Sequence, residues 1–76
     1  MANQKDKWNQ TVAIMLKNEI RRNLESYESL AKKLGETTET TRTKINRGTF
    51  RATYFLKAMA ALGVKQIEVP DFDDSK

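Results

Sequence analysis

The sequence predicts an all-α fold of four short helices and an extended C-terminal tail. Two observations carry that expectation. Apolar residues recur at three- and four-residue steps along most of the chain, which is helical periodicity. Glycines stand at 35, 48 and 63, each directly after such a segment, where helices commonly stop. With 76 residues in all, the expectation is one domain with a modest core.

From Trp8 the apolar residues fall at Val12, Met15, Leu16, Ile20 and Leu24, with Asp6 as N-cap, so a first helix is expected over about 7–23. Ser26 caps a second helix over 27–34, whose apolar face is Tyr27, Leu30, Ala31 and Leu34. The stretch GETTETTRTKINRG, from Gly35 to Gly48, holds five threonines, three basic residues and one plainly apolar residue, Ile45. Threonine favours strands over helices, but no apolar alternation appears here. Thr37 or Thr38 can serve as a cap, and Thr41 and Ile45, four apart, would face a core together. A third helix over 38–47 is therefore expected. Residues 50–62 are the most apolar part. Phe55, Leu56, Met59 and Leu62 make one stripe, with alanines allowing close packing, and a fourth helix is expected over 51–62. In the tail, 64–76, Ile67 and Val69 alternate with polar residues, Pro70 ends any ladder, and Phe72 sits among acids. Trp8, Tyr27, Phe50 and Phe55 are expected in the core.

Composition narrows the function classes. The chain contains no cysteine and no histidine, which removes disulfides, thiolate metal sites and the commonest general base and zinc ligand. No nucleophile–base pair is evident, so no enzyme activity, catalytic residue, metal or cofactor is expected. No apolar run approaches the ~18 residues that span a membrane, and the N-terminus lacks the apolar segment of a signal peptide. A cytoplasmic protein with no membrane partner is the expectation. The net charge is +4, and its distribution is uneven. Residues 40–67 carry six basic residues and no acid, whereas residues 68–76 carry four acids and one lysine. The positive charge begins inside the threonine stretch, as for a domain with a polyanionic partner.

The unit SYESLAKKLGETTETTRTKINRG reads as a helix-turn-helix. In such a unit the second helix keeps an outer face free to enter the DNA major groove. It needs one or two core anchors, and Thr41 and Ile45 supply them. Thr38, Glu39, Thr40, Arg42, Thr43, Lys44 and Arg47 are the candidate DNA contacts. Threonine methyls can touch thymine, hydroxyls can bond phosphate or base edges, and Arg and Lys can reach guanine or phosphate. Glu39 could accept from cytosine N4, or simply favour the helix N-terminus. Ser26 could hold a phosphate as well as cap its helix.

SYESLAKKLG, then KINRG, then FLKAMAALG resemble the Cro/C1-type, lambda-repressor-like helix-turn-helix domain. Tyr27, Leu30-Ala31, Leu34-Gly35, Glu36-Thr37, Lys44-Ile45, Arg47-Gly48, Phe50, Phe55 and Ala61-Leu62-Gly63 look most like a family of short bacterial proteins of that type, with no assigned function. The resemblance covers about residues 8–63. It implies an all-helical domain, often dimeric, that binds double-stranded DNA, and hence a small transcriptional regulator. Arg42 stands where such domains often place an apolar residue, so it either swings outward or marks a rotated helix. Arg51 stands near a position usually given to a small N-cap.

Two alternatives stay open. One is a protein-interaction module on the same scaffold that does not bind DNA. The other concerns the tail, which either mediates a weak homodimer or folds back over the first helix.

Overall fold

The computed structural model of the chain describes residues 4–72, with side chains from residue 7 onward. Four helices follow in order: α1 Gln4–Arg22, α2 Tyr27–Leu34, α3 Thr38–Arg47 and α4 Ala52–Ala61. Among the described residues there is no strand. α3 packs on α2 and α1, and α4 packs on the same two helices. The core lies between the four. Leu16 and Ile20 of α1, Leu30 of α2, Ile45 of α3, and Ala58, Met59 and Leu62 at α4 form one buried cluster. Thr41 is fully buried beside it.

Each end of the two central helices is satisfied locally. Ser26 caps α2 by accepting from the backbone N–H of Ser29, and the Ser29 hydroxyl in turn accepts from the Ser26 N–H at 2.9 Å. Gly35 closes α2 in the left-handed region, φ 74, which costs glycine nothing. Thr37 caps α3, accepting from the Thr40 N–H at 3.1 Å. Arg51 caps α4 with its backbone alone and gives no side-chain cap. Lys33 ties α2 to the end of α4, donating to the Glu25 carboxylate at 2.9 Å and to the Ala61 carbonyl at 3.3 Å.

Several positions differ from the sequence expectation. α1 already includes Gln4, so Asp6 lies inside the helix and is not its cap; Gln and Lys are good helix formers and extend the helix upstream. Leu24 is not on the apolar face of α1. It lies beyond the helix, 93% exposed, with φ 57. Its N–H donates to Arg21 O, and Glu25 N–H reaches back to Ile20 O. Leu24 thus occupies the left-handed position that ends a helix, where glycine is usual. Leu56 is also outside the core, 66% exposed. It is one residue on from Phe55, about 100° further round the helix, and so off the Phe55–Met59–Leu62 face. Trp8 is 38% exposed rather than buried.

Beyond α4 residues 64–72 have no regular secondary structure, and Ile67 lines a groove with Leu56 and Phe55. Phe72 lies on Trp8 of α1, ring centroids 6.4 Å apart and nearly parallel. The tail thus returns to α1, while Val69 and Phe72 stay largely exposed. Asp73 and Asp74 lie outside the described residues.

Gly48 closes α3 at φ 67, and the space above it is filled: a Cβ there would run into the Asn9 backbone carbonyl. α1 and α3 therefore meet backbone to backbone at this point. Gly48→Ala combines left-handed strain with displacement of α1 and is expected to cost about 3 kcal/mol in urea denaturation. Leu24→Gly should do the opposite. Relief of strain, offset by the greater freedom of glycine in the unfolded chain, is expected to raise stability by about 0.5–1 kcal/mol in the same measurement.

Candidate functional site

Thr41 and Ile45 turn one side of α3 into the core, so the residues midway between them on the wheel must face away. Thr43 projects directly outward. Glu39, Thr40, Asn46 and Arg47 lie beside it, all exposed. This outer strip contains no apolar side chain. Thr38 is not part of it. It lies one turn before Thr41, on the core side, and is half-buried. Ser26 is also off the strip, at the start of α2, where its hydroxyl serves the cap.

Arg42 and Lys44 flank the strip on opposite sides, and both are held in the same way. Arg42 lies over the Tyr27 ring of α2, 5.5 Å from its centroid, and donates to the Glu39 carboxylate at 2.8 Å. Lys44 lies over the Tyr54 ring of α4, 4.7 Å from its centroid, and donates to the Glu36 carboxylate at 2.6 Å. Each cation is thus fixed by a tyrosine face and a carboxylate. The Arg42 side chain swings outward onto α2, and α3 keeps Thr41 and Ile45 as its buried residues. Arg42–Glu39 is an exposed pair that adds little stability; its effect is to set where the guanidinium points. The Tyr27 hydroxyl also donates to Asn46 Oδ1 at 3.4 Å.

Glu36 sits in the turn between α2 and α3, with its side chain 15% exposed. Its Oε1 accepts from the Thr41 hydroxyl at 2.7 Å and the Tyr54 hydroxyl at 2.9 Å; its Oε2 accepts from Lys44. Burial alone pushes the Glu36 carboxyl up, but the three donors and the Lys44 charge outweigh it and hold the group below the usual carboxylate value. Tyr54 responds in the other direction. Burial first, then its bond to the Glu36 carboxylate, push the phenol up to about 12.

Beyond Lys44 the strip opens into a cleft of about 570 Å³ between the end of α3 and the start of α4. Lys44, Arg47, Arg51 and Lys57 surround it with positive charge, Thr43, Thr49 and Thr53 add hydroxyls, and Phe50 and Tyr54 line it with rings. Arg51 leaves the first N–H groups of α4 without a side-chain cap at the same place. Cations, hydroxyls and a helix N-terminus are the groups that hold phosphate oxygens. Neither Glu36 and Tyr54 nor Asn46, Arg51 and Lys57 stood among the sequence candidates. The charge count of residues 40–67 included the four cations of the cleft without placing them together. Among the described residues no group of His, Cys, Asp and Glu side chains could hold a metal ion, and no helix is long and apolar enough to cross a membrane.

The Tyr54–Glu36 bond can be checked directly. The sequence has two tyrosines, so a Tyr27→Phe variant leaves Tyr54 as the one phenol. Its ionisation, followed by absorbance, is expected to have a midpoint of about 12. A midpoint at the ordinary value of 10.0 would mean that the carboxylate does not receive this hydroxyl.

No curated protein and no solved structure matches the chain. One family model matches residues 8–67, from Trp8 of α1 to Ile67 in the tail, and so takes in all of α2, α3, α4 and the cationic cleft. The chain belongs to the family described as Domain of unknown function (DUF6471).

Proposed function

We propose that the chain binds double-stranded DNA through a lambda-repressor-like helix-turn-helix, as a small cytoplasmic transcriptional regulator. α2 is the first helix of that unit, Gly35–Thr37 the turn, and α3 the helix that enters the major groove. The observation that carries this reading is the continuity of one surface. The outer strip of α3 offers hydroxyl, amide and guanidinium groups beside the Glu39 carboxylate, with no apolar side chain. It runs without a break into the cleft ringed by Lys44, Arg47, Arg51 and Lys57. The strip suits base edges and the cleft suits backbone phosphates. In this reading Thr40, Thr43 and Asn46 meet the bases, and Arg47, shared between strip and cleft, meets a phosphate. Arg42, held on Tyr27, and Ser26 beside that ring form the flank nearest α2.

The second reading is a protein-interaction module, and the observation that favours it lies elsewhere. Leu56, Ile67, Val69 and Phe72 are exposed along α4 and the tail. The two readings are compatible if this apolar edge joins a second copy in a weak homodimer and so presents two α3 helices to half-sites about one helical turn apart. Salt separates them, because groove binding weakens steeply with salt and an apolar interface does not.

Arg47→Ala and Arg51→Ala are each expected to weaken duplex binding and to reduce the slope of log affinity against log salt by about one. Lys17→Ala, on α1, should leave both unchanged. Fluorescence anisotropy with a labelled duplex measures this. Equal affinities and slopes for all three variants and the wild type would refute the assignment of this face.

A further inference from the structure

The two oxygens of the Glu36 carboxylate serve different partners. Oε1 receives the hydroxyls of Thr41 and Tyr54, and these bonds tie the turn to α3 and α4. Oε2 receives the ammonium of Lys44. A neutral amide can still accept at one oxygen, so the tie to α3 and α4 does not require a negative charge. Holding Lys44 does. The Lys44 side chain is 44% exposed on the rim of the cleft, within reach of a ligand placed there, yet it is drawn inward onto Glu36 and the Tyr54 ring. A polyanion that approached Lys44 would approach the Glu36 carboxylate as well, and the pair offers it little net charge.

Resting on the DNA-binding reading of α3, we infer that Glu36 is a positioning residue that keeps Lys44 out of the phosphate contacts. The chain then meets a duplex with one cation fewer than its sequence places on this face. Non-specific affinity, which phosphate contacts supply, is lowered, and the base contacts of the α3 strip weigh more in the total. Glu36 thus sets selectivity without touching DNA. Arg47 and Arg51, with no carboxylate against them among the described ion pairs, remain the phosphate-binding cations.

The test uses the full chain and a short fluorescent duplex of random sequence, with anisotropy measured between about 50 and 200 mM salt. Glu36→Gln keeps an acceptor for Thr41 and Tyr54 but turns an amide N–H₂ toward Lys44. It is expected to tighten binding about threefold to tenfold at the low-salt end and to steepen the salt slope by about one. Adding Lys44→Ala to that variant should return both to the wild-type level. A purely structural role for Glu36 would weaken binding and leave the slope alone. If the wild type binds duplex and Glu36→Gln binds no tighter with the same slope, the inference is overturned and the DNA reading stands. If neither binds at any salt, both fail. Should Glu36→Gln not fold by circular dichroism, the wild type decides by NMR of the Lys44 ammonium. A signal unmoved on adding duplex supports the withholding of Lys44, and its transfer to a phosphate overturns it.

Discussion

One carboxylate, Glu36, connects three elements that sequence keeps apart. It stands in the turn after α2, receives Thr41 and Lys44 from α3 and Tyr54 from α4, and is largely shielded from water. Bonds to a shielded carboxylate are stronger than bonds in water, and charge-assisted ones are stronger still. The orientation of α3 depends on this. Its apolar anchorage is thin, since Thr41 and Ile45 are its only buried residues. The Thr41 hydroxyl, fully buried, would carry a desolvation cost without the Glu36 oxygen to receive it. A helix with so little apolar surface can remain in place because its turn, its core edge and its neighbour share one acceptor.

The same economy explains how α3 tolerates its composition. Five threonines in and around a short helix disfavour it intrinsically, and isolated helices of this length are marginal in water. Packing on α1 and α2 overrides that preference, helped by the Thr37 cap and the close of the helix at Gly48. Cations on both flanks add lateral bracing, Arg42 on Tyr27 and Lys44 on Tyr54. The exposed polar residues of α3 thus stay helical through contacts made by their neighbours.

The four-helix all-α architecture was legible because period, caps and glycine stops agree along most of the chain. Thr41 and Ile45 could be picked out as the buried side of α3 for the same reason, being four apart in a segment otherwise polar. The hub was not legible. Glu36 and Tyr54 are 18 residues apart; the one looks like an ordinary acid near a helix start and the other like any aromatic on a core-facing helix. The cleft was hidden likewise, because its cations come from α3, the following loop and α4, and only their placement makes them a group. Leu24 and Leu56 misled for a simpler reason. Periodicity counts an apolar residue whether or not the helix has ended, and it blurs residues at the margin of a stripe. Asp6 was a plausible cap with nothing upstream to mark a longer helix.

The stacking of Phe72 on Trp8 has a practical consequence. Trp8 is the chain's only tryptophan, and it lies half-exposed at the place where the tail returns to α1. The indole is therefore a native optical label for the tail, while the tyrosines Tyr27 and Tyr54 mark the two flanks of α3. Events that lift the tail alter the tryptophan's surroundings, and events confined to the cationic cleft alter those of Tyr54. The molecule can report on its apolar edge and its basic face through separate intrinsic chromophores, with no dye attached to either.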